Sequence, residues 1–211
     1  KLFKEYFTYQ LFDLVDTIGM QTKLVDIRIG GVDSESFEFV GMLVEEEKHY
    51  TKRYDAELVP SERSLSWPAF DREHFVKMQF FQYMIANTDW AVVTKHNLEM
   101  VKFPNNLRVV AVPYDFDYAG VVGQHYARPA ENLPITSVRD RYFVPYPVQE
   151  DEFDKMVEFY LDLEDEIYAL CDSAIYMTQK SIDENKKFIS KFFDILRKPQ
   201  KFKPEVVKNI E

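Results

Sequence analysis

The fold of this chain is organised around residues 85–120, IANTDWAVVTKHNLEMVKFPNNLRVVAVPYDFDYAG. This stretch contains two apolar runs, 98–102 and 107–112, which are separated by a Pro-Asn-Asn turn at 104–106. Short apolar runs on either side of a turn are typical of a β-hairpin. The stretch therefore predicts a loop, a hairpin and a second loop.

Acidic and amide side chains occupy both open ends of the predicted hairpin. Asp89 and Asn97 precede it, and Asp115 and Asp117 follow it. Because a hairpin returns the chain to its starting point, we expect these four side chains to lie close together. Carboxylate and amide oxygens grouped in this way are suited to a cation and a phosphate group.

The composition indicates a folded domain and narrows its partners. Of the 211 residues, 46% are hydrophobic and 16% are aromatic, which is enough for a substantial core. The formal net charge of −10 argues against nucleic acid as a partner, since proteins that bind it usually carry a basic face. No apolar run approaches the ~20 residues of a transmembrane helix. Cys171 is the single cysteine, so an internal disulfide is excluded.

The chain begins at Lys1 without an initiator methionine and enters an amphipathic pattern at once. We therefore expect it to be part of a longer polypeptide, with any signal peptide upstream. The compartment stays open, and export from a bacterial cell is one option.

The N-terminal residues predict one helix and two strands. Helical spacing of apolar residues begins at Leu2 and is expected to end before Gly19. Alternating residues at 24–29 and 37–44 predict antiparallel strands joined by a turn at 30–34. The acidic run at 45–47 is interpreted as either a solvated strand exit or the first turn of a helix.

The middle and C-terminal residues predict further helices. A short helix is expected at 49–60 and a buried helix at 71–86, with Asp71 as its N-cap. Residues 121–146 are expected to form a long loop, because prolines interrupt them. Two more helices are expected at 149–171 and 172–196, followed by a polar, basic tail. The fold class is therefore α+β.

Two short motifs in this order resemble the catalytic centre of atypical protein kinases. They are Asn87-Thr88-Asp89 with a following Asn97, and Tyr114-Asp115-Phe116-Asp117 at the end of a hairpin. The resemblance extends in particular to bacterial HipA-like and spore-coat CotH-like kinases. It implies a protein-kinase-like fold with a partial N-lobe, residues 1–48, of a helix and two antiparallel strands. The mostly helical C-lobe, residues 49–211, would carry both motifs.

The resemblance also assigns roles to individual residues. Asp89 would be the base that accepts a hydroxyl proton, and Asn97 would hold Mg²⁺. Asp115 would join the metal to the phosphate groups of ATP. Asp117, which stands where the common Asp-Phe-Gly motif has glycine, would be a further metal ligand. Glu5 would belong to the nucleotide site as the partner of a lysine located before Lys1.

The sequence departs from the common kinase pattern in two places. Asp89 and Asn97 are 97 − 89 = 8 positions apart, whereas the common motif separates these two roles by about five. The loop must therefore accommodate extra residues. In addition, no glycine-rich phosphate loop and no strand lysine precede Glu5.

Three arginines in the long loop have two interpretations. Arg128, Arg139 and Arg141 are candidates for binding phosphate or an acidic substrate, because guanidinium pairs with oxyanions through two hydrogen bonds. In so acidic a chain they are equally suited to salt bridges within the fold.

Two functions follow from these observations. The first is a kinase-like phosphotransferase that uses Mg²⁺ and ATP and acts on a hydroxyl of a protein or small molecule. The second is a catalytically inactive kinase-like or other α+β module that binds a partner through its long loop. Motifs of serine hydrolases, Walker-loop ATPases and HExxH metalloproteases are missing from the sequence. Asp89, Asp115 and Asp117 also have a purely structural interpretation as turn and strand-end residues.

Overall fold

The computed structural model describes residues 1–30, 36–60, 63 and 65–207. In this part of the chain, seven α-helices and two small antiparallel sheets form an α+β fold, as the sequence predicted. The helices are α1 (Leu2–Val15), α2 (Glu47–Arg53), α3 (Arg72–Ile85), α4 (Glu150–Asp162), α5 (Glu164–Ser173), α6 (Gln179–Leu196) and α7 (Pro199–Val206). The strands are β1 (Thr22–Ile29), β2 (Phe37–Val44), β3 (Glu57–Leu58), β4 (Leu98–Lys102) and β5 (Val109–Pro113). One sheet has the order β1-β2, and the other has the order β3-β4-β5.

The first helix and the first two strands lie where the sequence predicted them. β1 and β2 pair along their whole lengths, from Thr22 opposite Val44 to Ile29 opposite Phe37. Most of the turn predicted between them falls in residues 31–35, which lie outside the described residues.

The segment predicted as one helix at 49–60 has a different structure. α2 begins earlier, at Glu47, and ends at Arg53, and β3 then pairs with β4. The prediction was wrong in extent because the strand that pairs with β3 is distant in the sequence. Of the two interpretations of the acidic run, the helix start is confirmed, since Glu46 is the N-cap of α2 and Glu47 lies in its first turn.

The buried helix predicted at 71–86 is confirmed as α3. The Asp71 side chain accepts a hydrogen bond from the His74 backbone N–H at 3.3 Å and so caps the helix. The His74 ring pairs through Nδ1 with Asp16 Oδ2 at 2.7 Å, which joins the start of α3 to the end of α1. Ala86 is the C-cap of α3, and its φ of 52° lies in the left-handed region.

The predicted hairpin is confirmed as β4 and β5. Leu98 lies opposite Pro113 and Lys102 lies opposite Val109. Every residue of β5 is buried, and the strand packs against α3. This packing holds the C-terminal end of β5 in place. In the continuously described range 65–207, the segment between β5 and α4 forms no helix or paired strand beyond a single bridge at Val148, in keeping with the predicted long loop.

The C-terminal helices correct two sequence predictions. The helix predicted at 149–171 is divided at Leu163 into α4 and α5, and the second predicted helix starts at Gln179 as α6 rather than at residue 172. The tail after Leu196, predicted only as polar and basic, contains α7, whose first residue is Pro199. Proline fits the first turn of a helix because its missing N–H has no intrahelical partner there.

A large aromatic core joins α1 to the C-terminal helices. Phe12 of α1 packs against Phe81 of α3 with ring centroids 4.9 Å apart, and Phe80 packs against Phe202 of α7 at 6.0 Å. One cluster of buried side chains extends from Phe7 to Val206. The division into two lobes at residue 48 stays a prediction.

Among the described helices, none combines the length and the apolar composition that crossing a bilayer requires.

Candidate functional site

Three segments meet at the open end of the β4–β5 hairpin. They are the loop that follows α3, the turn that follows β5, and one face of α1. Gly120 holds two of them together, because its N–H donates to the Ala86 carbonyl oxygen at 3.0 Å. A side chain at this glycine would clash with the Val138 carbonyl oxygen and would approach Ala86 Cβ to 2.9 Å. The absence of a Cβ at residue 120 therefore permits the close packing of these segments.

The loop after α3 is organised around Asp89. Asn87 is 1% exposed, and its Oδ1 accepts a hydrogen bond from the Asp89 backbone N–H at 3.0 Å. His96 Nε2 lies 3.0 Å from Asp89 Oδ1, and Asn97 Nδ2 donates to Asp89 Oδ2 at 3.1 Å. Both carboxylate oxygens of Asp89 are therefore held by its own loop.

The eight-residue spacing between Asp89 and Asn97 is accommodated by a small closed turn. Ala91 and His96 exchange backbone hydrogen bonds of 3.1 and 3.0 Å, and Lys95 has φ of 53°. The extra residues form this turn, so the chain returns to Asp89. Asn97 Nδ2 then reaches both the Asp89 backbone oxygen, at 2.8 Å, and the Asp89 carboxylate.

The hairpin brings the second motif to this loop, as the sequence predicted. The Tyr114 backbone N–H donates to the Asn97 carbonyl oxygen at 3.1 Å. Burial, followed by the charges of Asp117 and Asp89, raises the pKa of Asp115 above its ordinary range. The carboxylates of Asp117 and Asp89 therefore each lie close enough to repel that of Asp115.

Asp115 has an unusual backbone conformation. Its φ is 55°, in the left-handed region that residues other than glycine rarely adopt. Its backbone N–H donates to the Tyr9 hydroxyl oxygen of α1 at 2.9 Å. The next residue, Phe116, is fully buried and packs edge-on against Tyr9 and Phe81, with ring centroids 4.8 and 5.6 Å away. Strained backbone of this kind is frequent at functional sites.

Asp117 and Glu5 complete the acidic group. The Tyr126 hydroxyl of the long loop donates to Asp117 Oδ2 at 2.7 Å. Burial, followed by the charges of Asp115 and Asp117, raises the pKa of Glu5 to about 7. Four carboxylates from three segments, those of Glu5, Asp89, Asp115 and Asp117, are therefore linked through Asp115, which lies within electrostatic reach of each of the other three. We call them the acidic group.

A magnesium ion at the acidic group, bound partly by other oxygens, stays a prediction. Among the described residues, no three His, Cys, Asp or Glu side chains are arranged to enclose a metal. Mg²⁺ in proteins usually takes only one or two carboxylates and completes its shell with water and substrate phosphates. The Asn97 Oδ1 is the remaining ligand candidate, because Nδ2 of the same amide is committed to Asp89.

The three loop arginines donate mainly to backbone carbonyls. Arg128 donates to the carbonyls of residues 125 and 127, both within its own loop. Arg139 donates to the Gly120 carbonyl at 3.0 Å. Arg141 donates to the carbonyls of Met84 and Phe188 at 3.0 and 2.7 Å, and burial lowers its pKa to about 10. The guanidinium groups of Arg139 and Arg141 both lie over the Phe188 ring. Arg139 is the nearer to the site, because it bonds to Gly120, whereas Arg141 bonds to carbonyls of two helices. A substrate-binding role for the three stays a prediction.

Sequence reasoning missed the two tyrosines that contact the second motif. Tyr9 follows Glu5 by one helical turn, so its place on the same face of α1 was available from spacing alone. Nothing in the sequence near Tyr126 indicates its contact with Asp117, because a long loop has no periodicity from which to read its path.

No protein-family model matches the chain, and no curated protein shows significant sequence similarity to it.

Proposed function

We propose that this chain is a kinase-like phosphotransferase, which transfers the terminal phosphate of ATP, bound with Mg²⁺, to a hydroxyl of a protein or small molecule. The proposal rests mainly on one observation: the Asp89–Asn97 loop and Asp115 lie together at the open end of the β4–β5 hairpin. The proposal includes a protein-kinase-like fold, with residues 1–48 as part of an N-lobe and 49–211 as the C-lobe.

The cation would be held by Asn97 and Asp115. Asn97 directly precedes β4 and Asp115 follows β5, so both residues lie at the open end of the hairpin. The hairpin holds them in place because every residue of β5 is buried. Asp117 adds a further carboxylate to the same ligand set. A bound Mg²⁺ would supply positive charge against the phosphate oxygens. It would also offset the repulsion between carboxylates that, after burial, raises the pKa values of Glu5 and Asp115.

Asp89 would accept the proton of the attacking hydroxyl. In the reaction, a bond forms between the hydroxyl oxygen and the terminal phosphorus, and the bond from that phosphorus to the bridging oxygen of ATP breaks. The hydroxyl proton moves to the Asp89 carboxylate, and ADP leaves. His96 and Asn97 orient the Asp89 carboxylate for this step through hydrogen bonds of 3.0 and 3.1 Å.

Glu5 would belong to the nucleotide end of the site and would bring α1 into it. Burial, followed by the charges of Asp115 and Asp117, raises the pKa of Glu5 to about 7. A cation or a lysine at this position would hold Glu5 ionised at neutral pH, because an opposite charge favours the charged form. This agrees with the role that the kinase resemblance implies for Glu5.

The thermal transition of the chain, measured with and without Mg²⁺ and ATP, tests the proposal. A ligand that binds only the folded state raises the melting temperature. We expect the wild type to shift by several degrees at millimolar Mg²⁺ and ATP, and Asp115→Asn to show no shift. Asp151→Asn is the matched control, because Asp151 lies exposed on α4 and its removal leaves the site intact. An unchanged wild-type transition would contradict nucleotide binding.

Radiolabelled ATP separates the enzyme from an inactive binding module. Transfer of the terminal phosphate to protein or to added hydroxyl compounds, lost in Asp89→Asn, is expected for the phosphotransferase. Nucleotide binding without any transfer would instead favour the inactive kinase-like module that acts through its long loop.

A further inference from the structure

We propose that Tyr9 is a positioning residue of the cation site: its hydroxyl fixes the backbone of Asp115 so that the Asp115 carboxylate faces the ion. The inference rests on the proposed function and extends it to α1, to which the sequence motifs assign only Glu5.

The contact between Tyr9 and Asp115 joins two distant parts of the chain. Tyr9 is 4% exposed on α1, and its hydroxyl oxygen accepts the Asp115 backbone N–H at 2.9 Å. The hydrogen bond therefore connects the first helix with the end of β5, 106 positions later in the sequence.

Asp115 needs an external support because its conformation is costly. A φ of 55° brings Cβ of a non-glycine residue close to the following carbonyl, and the conformation persists only where the surroundings enforce it. In an extended or right-handed conformation, the Asp115 side chain would leave the end of β5 in another direction. The support of its N–H thus determines where the carboxylate points.

Tyr9 also packs against the residue on the other side of this bend. Its ring contacts Phe116 edge-on at 4.8 Å, and Phe116 is held from behind by Phe81 of α3 at 5.6 Å. One side chain therefore fixes Asp115 by a hydrogen bond and Phe116 by packing. The position of α1 is coupled through Tyr9 to the geometry of the ligand that the proposed function requires.

The substitution Tyr9→Phe separates positioning from packing. It keeps the ring on Phe116 and removes only the acceptor of the Asp115 N–H. The matched control is Tyr160→Phe, because Tyr160 is fully buried and its hydroxyl also pairs with a backbone group, the Lys77 carbonyl at 2.8 Å. Both variants lose one buried hydrogen bond, and only one of the lost bonds belongs to the site.

The test is a titration with Mn²⁺ in place of Mg²⁺, followed by electron paramagnetic resonance of the free ion, with and without a non-hydrolysable ATP analogue. We expect a saturable wild-type site that Asp115→Asn removes. Tyr9→Phe should raise the Kd for Mn²⁺ about three- to tenfold, the effect of one hydrogen bond, and Tyr160→Phe should leave it unchanged.

Three results would overturn the inference in distinguishable ways. Equal Kd values for wild type and Tyr9→Phe would remove the positioning role while leaving the site in place. An equal rise in Tyr160→Phe would show general loosening of the fold. A wild type without a saturable site would refute the proposed function itself, and the positioning role with it.

Amide hydrogen exchange on the wild type tests the contact without any variant that must fold. The Asp115 N–H is expected to exchange slowly, as a bonded amide does. Exchange at the rate of an exposed amide would contradict the hydrogen bond to Tyr9, and with it the inference.

Discussion

The Asn97 side chain donates from one amide nitrogen to two oxygens of Asp89, the backbone carbonyl at 2.8 Å and the carboxylate at 3.1 Å. Asn97 itself has φ of 52°, a conformation that asparagine tolerates better than most residues. The pair closes the loop that follows α3 and leaves the Asn97 amide oxygen as the end directed away from Asp89. A structural hydrogen bond and the proposed ligand position therefore belong to one side chain.

Replacing Asn97 tests the structural part of that arrangement. Asn97→Ala removes two hydrogen bonds and places alanine at positive φ, so we expect the free energy of unfolding to fall by about 1–3 kcal/mol. Urea denaturation measures the change. Asn105→Ala in the exposed hairpin turn is the control, with an expected change below about 0.5 kcal/mol. Similar losses in the two variants would contradict the special position of Asn97.

The arginines should divide between scaffold and surface. Arg141→Met leaves the buried carbonyls of Met84 and Phe188 without their charged donor, and we expect a loss of about 2–4 kcal/mol in the free energy of unfolding. Arg128 is exposed and bonds only within its own loop, so Arg128→Ala should change stability by less than about 0.5 kcal/mol. Denaturation curves of both variants check this order, and the reverse order would refute it.

Glu5 should make the metal-free protein less stable as the pH rises. Its pKa is raised from 4.5 to about 7, so the folded state binds the proton more tightly than the unfolded state does. The stabilising effect of the protonated form is fully present below pH 4.5 and is lost as the pH rises to about 7.

The substitution Glu5→Gln isolates this effect. Between pH 4.5 and 7, the free energy of unfolding of Glu5→Gln should rise relative to the wild type, since glutamine carries no charge at either pH. Solvent screens the partly exposed group, so we expect a relative gain of about 1–2 kcal/mol at pH 8. Urea denaturation at several pH values measures it. Parallel pH profiles of the two proteins would contradict the raised pKa of Glu5, which burial and then the two aspartates cause.

Local signals made much of this fold predictable. Asp71 before an apolar helix indicated its N-cap, and alternation around the Pro104 turn indicated the hairpin. The hairpin alone predicted that Asp115 lies near the Asp89 loop, because strand pairing places the residue before β4 beside the residue after β5.

The remainder depended on tertiary contacts. β3 exists only because β4 pairs with it, and the break at Leu163 lies inside a continuous helical pattern. The hydrogen bond from Asp115 to Tyr9 joins residues 106 positions apart, and no periodicity links such a pair. The left-handed backbone of Asp115 could not be predicted either, because an aspartate after a strand is compatible with several backbone conformations.

Isothermal titration calorimetry with a non-hydrolysable ATP analogue, in the presence of Mg²⁺ or of a chelator, measures whether nucleotide binding at the hairpin needs the cation. We expect saturable binding to the wild type that depends on Mg²⁺ and is lost in both Asp115→Asn and Asn97→Ala, while Asp151→Asn binds normally. Binding of equal affinity with and without Mg²⁺, or unchanged binding in Asp115→Asn, would contradict a cation–phosphate site at the open end of the hairpin.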